Sequence, residues 1–322
     1  MKSLILIVGL FFAFSLVSSG TSLSQAQNYP NRPIQLIIPV PAGLVADVTG
    51  RLLAEELKKI LGTPVIVVNK PGASMTLGTD LVAKSKRDGY TIAYTNSSAI
   101  IYSRIFHPEI VPYDSFKDLE PLGFHLFVPL MVAVQGDSPW KTFPEFVEYA
   151  KKNPGAIRVS TPGLESIDNF NIEITQSLTG AQFTHIPVKS GAATALIGGH
   201  VEATYYALNA VIPYAESGKL RILVMSRKIQ RFPDIPTMSE LGYKQDLLSS
   251  WFALYAPAGI PEEVKKVLIP AVERAVNTPA IKAKIEELGF IVNYKNPAEI
   301  KSLMVEDFNR ANAIATRLGL KK

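Results

Sequence analysis

Four stretches of this 322-residue chain set hydroxyl, amide or backbone N–H groups where an apolar run gives way to a helical pattern. They are Pro41 to Asp47 (PAGLVAD), Thr95 to Ser98 (TNSS), Ser160 to Asn169 (STPGLESIDN) and Tyr205 to Asn209 (YYALN). Such groups donate hydrogen bonds, and a helix start adds unpaired N–H groups and a partial positive charge, so the chemistry on offer is capture of a small anion. Each stretch also has a plainer use. Turns consume Asn, Ser and Thr for their own backbone, Ser166 or Asp168 suits an N-cap, and a tyrosine pair on a strand end serves as core and rim. Asp47 would repel an anion and fits better as the acid that orders its own loop.

Bond-making chemistry has little support. His107, His125, His185 and His200 are scattered, and none pairs with another at i, i+4 or sits in an HExxH pattern. No GxSxG, GxGxxG or P-loop occurs, and the chain has no cysteine. No catalytic residue, metal or cofactor is assigned on this basis. A noncontiguous pair such as Ser166 with His185 keeps a secreted α/β hydrolase as the alternative.

The elements that must position these groups alternate. Pro33 to Val40 is a buried strand, Pro41-Ala42-Gly43 a turn, and Val48, Leu52, Leu53, Leu57, Ile60 and Leu61 the apolar stripe of a helix that Gly62 ends. Strands follow at 64–69, 90–94, 127–134, 157–161, 201–206 and 220–225, with helices at 79–85, 143–152, 167–178 and 192–197 between them. Ser250 to Ala256 is apolar and aromatic, and beyond Pro261 the chain is helical with one short strand at 290–294. This alternation predicts an α/β fold with mostly parallel sheets flanked by helices. The rhythm restarts near residue 127, so residues 127–250 form a second lobe inserted into a first made of 27–126 and 251–322. Two lobes joined by two crossings leave a cleft, where small ligands bind.

Lys2, the apolar run Leu4 to Val17 and the small-x-small Ser24-Gln25-Ala26 read as a signal peptide over residues 1–26, cleaved near Ala26. No later run is long enough to span a bilayer, so a soluble periplasmic protein is expected. Without Lys2 the formal charge falls from +5 to +4, spread without a basic run, which excludes a nucleic-acid footprint.

Taken in order, YPNRPIQLIIPVPAG with VADVTGR, VVNKPGA with LGTD, DGYT, HIP, LIGGHVE, SGKLRIL, FPDIPTMSELG and SSWFALYAPAGIP resemble the extracytoplasmic solute receptors of tripartite tricarboxylate transporters, the Bug family. The resemblance runs the length of the mature chain. It implies a monomeric, two-lobed type II periplasmic binding protein that closes on a small organic carboxylate, hands it to an integral-membrane permease and catalyses nothing. A receptor that signals to a membrane sensor would need the same cleft. Carried over by position, the ligand residues are Gly43, Leu44, Val45, Ala46 and Asp47 in the first turn, Ser74 and Met75 after the second strand, Asn96 and Ser97 after the third, and Thr161, Ser166 and Asp168 in the second lobe. The family pattern PAGGGTD is here PAGLVAD, which loses a hydroxyl and gains three apolar groups. Tyr206 stands where the family commonly has an acid, and Val188-Lys189-Ser190 replaces YKG. These departures point to a ligand with one carboxylate and an apolar or aromatic body, seated against Leu44, Val45 and Tyr206. Crossings near 127 and 250 should act as hinges, with Trp251 packed at the junction.

Overall fold

Two twisted sheets share the chain unequally. The computed structural model describes residues 29–163, 166–188, 191–317 and 319, so the expected signal peptide lies outside the described residues. The first part of the chain contains β1 (Ile34–Ile38), α1 (Val45–Leu61), β2 (Val65–Asn69), α2 (Thr76–Ala83), β3 (Thr91–Asn96), α3 (Ser103–Phe106) and β4 (Leu119–Val128). Next come β5 (Leu130–Gln135), α4 (Phe143–Lys152), β6 (Arg158–Thr161), α5 (Ile167–Thr179), β7 (Thr184–Pro187), α6 (Ala192–Ile197), β8 (Ala203–Ala207), α7 (Ile212–Glu216) and β9 (Leu220–Met225). β10 (Ser250–Pro257), α8 (Glu262–Val276), α9 (Pro279–Glu287), β11 (Ile291–Val292) and α10 (Pro297–Arg317) complete it.

The first sheet has the order β11-β4-β10-β3-β1-β2 and the second β7-β6-β8-β5-β9. β1 pairs in parallel with β2 and β3, and β6 with β7 and β8. The strands that enter each sheet from the other, β5 and β10, run antiparallel to both of their neighbours. Each sheet is therefore a parallel βαβ unit continued across one reversed strand, and the first sheet adds a second reversed strand, β11, at its edge beside β4. The expected single strand over 127–134 is two strands in different sheets, because Pro129 lacks the N–H that would continue a ladder and the chain crosses there. The return crossing uses residues 226–249.

The N-terminal part of β4 is missing from the sequence pattern for a physical reason. Pro121 and Gly123 interrupt its periodicity, and the ladder with β10 absorbs them through register shifts at Phe252/Ala253 and Leu254/Tyr255. A Cβ on Gly123 would lie 2.4 Å from Val272 Cγ1, so glycine lets α8 sit directly on the strand. Hydrophobic packing is continuous across the junction: Phe124, Phe127 and Trp251 belong to the same buried cluster as Phe143, Phe146, Phe170 and Tyr205. α10 seals this region. Asp307 accepts from Trp251 Nε1 at 2.7 Å, Arg310 donates to the Asp246 carbonyl at 2.6 Å, and Arg317 donates to Ser177 Oγ at 2.8 Å.

Candidate functional site

The first turn is built to keep a helix end open. Gly43 carries the left-handed φ of +85°, Leu44 is extended at φ −72°, and Val45 begins α1 with no side chain capping its N–H groups. The loss of glycines in the motif is thus tolerated because only Gly43 needs positive φ. Leu44 and Val45 are exposed, at 52% and 38%. Asp47 is buried. Its carboxylate accepts from Gly43 N at 2.9 Å, Arg51 Nε at 2.8 Å and Asn69 Nδ2 at 2.8 Å. Burial opposes its ionisation, but the Arg51 guanidinium, the Gly43 N–H and the Asn69 amide together hold its pKa below the usual carboxylate value. The acid orders the loop, and its charge is compensated by those donors.

The loop before α2 is strained. Ala73, Ser74 and Met75 have φ of +44°, +51° and +74°, three consecutive left-handed residues without a glycine among them. Thr76 Oγ1 holds the turn by donating to Ala73 O at 2.7 Å, and Thr79 Oγ1 donates to Met75 O at 2.9 Å. After β3, the polar row turns inward. Asn96 Oδ1 accepts from the N–H groups of Ser98 and Ala99, and Ser97 Oγ lies 3.2 Å from Ser250 Oγ. Residues 98–102 then form a π-helical turn that runs into α3, a distortion found often at functional sites.

In the second sheet, Thr161 is buried with its Oγ1 2.6 Å from His185 Nε2. Ser166 caps α5 by accepting from Asn169 N at 3.1 Å and donates its hydroxyl to Gly163 O at 2.8 Å. His185 is thus paired with Thr161, and burial holds its pKa down. Asp168 is buried in the first turn of α5, and burial pushes its carboxyl up to about 7. Tyr206 is half-buried, and burial, with a smaller influence from Asp168, raises its pKa.

A cavity of about 280 Å³ opens between the two sets of loops. Ser74, Ser98, Ser103 and His107 line it from the first sheet and Gly163 and Ser166 from the second, with Tyr102 and Phe106 supplying aromatic wall. Ser74 and Ser166 are the residues from the sequence set that it brings together; Gly43 to Asp47, Met75, Asn96, Ser97, Thr161, Asp168 and Tyr206 lie outside its lining. Sequence reasoning missed Ser98 as a lining group distinct from its row, and Ser103, Phe106 and His107 altogether. The only signal was a pair of serines spaced five apart, which a π turn brings onto one side. Phe106 also touches Phe170 across the junction, with ring centroids 4.8 Å apart. Among the described residues no group of three or more His, Cys, Asp or Glu side chains could hold a metal ion.

A sequence model described as the tripartite tricarboxylate transporter family receptor matches residues 49–320. The chain belongs to this family. The receptor is 32% identical over 325 residues to Protein BugT of Bordetella pertussis, covering 100% of this chain and 99% of that one. Its fold matches the crystal structure of a TctC solute binding protein from Polaromonas, with a TM-score of 0.78, 29% identity, and coverage of 90% and 99% of the two chains. A second match is the R. palustris protein Rpa4515, solved with adipate, at a TM-score of 0.77, 25% identity, and coverage of 90% and 98%. The receptor's two sheets with loops facing across a cavity are the two-lobed architecture of periplasmic binding proteins. No helix among its described residues is long and apolar enough to cross a membrane.

Proposed function

We propose that this receptor captures a small organic carboxylate outside the cytoplasm by closure of two lobes, residues 27–126 with 251–322 and residues 127–250, and delivers it to a tripartite membrane permease. The observation that carries the proposal is the uncapped N-terminus of α1, whose exposed first turn follows a loop ordered by a fully compensated Asp47. An anion docking there meets free N–H donors and the positive end of the helix dipole. The adipate bound to the Rpa4515 relative supports a carboxylated ligand. Leu44 and Val45 beside that helix end, with Phe106 and Tyr102 in the cavity wall, favour a single carboxylate on an apolar or aromatic body. In this reading Gly43, Leu44, Val45, Ala46, Ser74 and Met75 form one wall, and Thr161, Ser166, Asp168 and Tyr206 the other.

Chemistry on the ligand is not part of this reading. The Thr161 hydroxyl that meets His185 is fully buried. Isothermal titration of the mature protein with aromatic and aliphatic monocarboxylates, succinate and citrate tests the proposal. Saturable binding of at least one monocarboxylate, with compaction in small-angle scattering, is expected; binding of polyacids alone would overturn the ligand class, and no compaction at saturation would overturn closure.

A further inference from the structure

The cavity between the two sets of loops holds more hydroxyl groups than the fold uses. Ser74, Ser98 and Ser103 line it, and none of these three hydroxyls has a hydrogen-bond partner among the described residues. Ser103 is 5% exposed. The neighbouring Tyr102 hydroxyl is sealed within protein, whereas the Ser103 hydroxyl is not, and the open space beside Ser103 is the cavity. Buried hydroxyls are normally paired, so one that opens on a cavity marks a place for a polar group.

The π turn sets Ser103 beside Ser98. Ser103 N–H donates to Ser98 O, the i to i+5 bond that stacks residues five apart. An α-helix would carry Ser103 about 140° around the axis from Ser98. Ser74 joins them from the left-handed loop before α2, which packs on the π turn. Tyr102 and Phe106 add apolar wall beside the serines, each against Phe170 of α5 with ring centroids 5.8 and 4.8 Å apart.

The backbone donors that a carboxylate would need here are already spent. Ser98 N–H donates to Asn96 Oδ1 at 3.0 Å, His107 N–H to Ser103 O at 2.8 Å, Gly163 N–H to Thr161 Oγ1 at 3.2 Å and Ser166 N–H to Gly163 O at 3.2 Å. No Lys, Arg, Asp or Glu lines the cavity among the described residues, and His107 comes with its own acid, its Nδ1 lying 3.2 Å from Glu109 Oε1. What the wall offers is hydroxyls, which donate and accept alike. They match a neutral group that does the same. An anion is better served by the uncapped N–H groups at the start of α1.

We propose that Ser98 and Ser103 form a hydroxyl-recognition subsite and that the solute is a hydroxy monocarboxylate, whose apolar or aromatic body carries a neutral hydroxyl that exchanges hydrogen bonds with the two serines. This rests on the carboxylate-receptor reading above. Ser103, the more buried of the pair, sets the specificity: a solute without the hydroxyl leaves it unpaired, and a second carboxylate meets no cation.

The test is calorimetric titration of the full mature protein with two matched sets. One is benzoate, its monohydroxy derivatives and the benzenedicarboxylates; the other is hexanoate, 6-hydroxyhexanoate and adipate. In the set that binds better, the best hydroxy acid should bind at least tenfold tighter than the parent acid and than the corresponding dicarboxylate. Ser103→Ala should cut that preference below about threefold while leaving affinity for the parent acid within about threefold, which also shows that the variant is folded. Where Ser103→Ala fails to fold, Ser98→Ala at the less buried position should still lower the preference at least threefold. Hydroxy acids no tighter than their parents, dicarboxylates as tight as hydroxy acids, or a preference that survives both substitutions would overturn the inference and leave the carboxylate-receptor reading standing. If none of these acids binds, that reading itself falls and takes this inference with it.

Discussion

The hydroxyl of Thr49 lies 3.1 Å from the hydroxyl of Tyr94, which joins the first turns of α1 to the centre of the first sheet. Thr49 also donates toward the carbonyls of Val45 and Ala46, so the open helix end is fixed from beneath. Gly50 makes this approach possible: a Cβ there would fall 2.5 Å from Ile38 Cδ1 and 2.8 Å from Tyr94 Cδ1. Gly50→Ala should therefore destabilise the protein by about 1–3 kcal/mol through overpacking, despite the better helix propensity of alanine. Ligand affinity should fall as well, since the helix must lift. A variant as stable as wild type in urea denaturation would contradict the close-approach argument.

Behind Tyr94 stands His125, whose Nδ1 is 2.8 Å from the tyrosine hydroxyl and whose Nε2 is buried without a partner among the described residues. Burial lowers its pKa to about 3. Between the ordinary histidine value of 6.5 and that figure the folded chain binds fewer protons than the unfolded chain. The stability contribution is thus complete above pH 6.5 and is lost as pH falls toward 3, by up to roughly 5 kcal/mol. His125→Gln should flatten the acid limb of the stability curve. Parallel acid limbs for the two proteins would remove His125 as the cause.

Asp168 tilts the curve the other way. Its pKa is raised from the ordinary 3.8 to about 7 by burial, so the folded chain binds more protons than the unfolded chain between those values. Stability is then complete below pH 3.8 and declines as pH rises through 7, on the order of 4 kcal/mol in total. Asp168→Asn should be more stable than wild type at pH 8 and no more stable at pH 4. Denaturant midpoints at the two pH values decide this, and a difference of equal size at both would show that the substitution acts through packing alone.

The compensated turn can be tested by removing its acid. Asp47→Ala leaves the Gly43 N–H, the Asn69 amide and the Arg51 guanidinium without their shared acceptor, and Asn69 also holds Val40 O at 2.9 Å. The loss should be about 2–3 kcal/mol, because orphaned donors cost more than the bonds contribute. Arg51→Ala should cost less than 1 kcal/mol, since its side chain is half exposed and the pair is screened. A larger effect from Arg51 than from Asp47 would reverse the assignment of which group organises the loop.

Elements with strong local signals were legible in the sequence. α4 begins and ends as its Thr142 and Glu145 capping box and the Asn153 stop dictate, and β9 and α6 match their apolar runs. What depends on distant contacts was not. The start of β4 needs β10 to absorb Pro121 and Gly123, and the π turn at 98–102 has no periodic signature because its apolar Ala99 to Tyr102 are buried all round. The cavity was half legible for the same reason: Ser166 caps a helix wherever it stands, but its meeting with Ser98 and His107 exists only once two sheets face each other. Asp168 read as an N-cap candidate and, by resemblance, as a ligand residue; Ser166 takes the cap, and sequence alone does not show that the Asp168 carboxyl is buried.

Ser74 combines strain with a place in the cavity wall, and the two can be separated. A left-handed non-glycine residue costs roughly 1–2 kcal/mol, and such outliers persist only where the surroundings hold them, here through Thr76 and Thr79. Ser74→Gly relieves the backbone and should stabilise the protein by about 1 kcal/mol, a gain partly offset by the greater freedom of glycine in the unfolded chain. Ser74→Ala keeps the strain and removes only the hydroxyl. Both should weaken ligand binding if the hydroxyl contacts the solute, whereas only the glycine variant should weaken it if the rigid turn is what matters. Melting temperatures with and without ligand for the pair distinguish these, and a glycine variant less stable than wild type would mean that the left-handed turn is not strained.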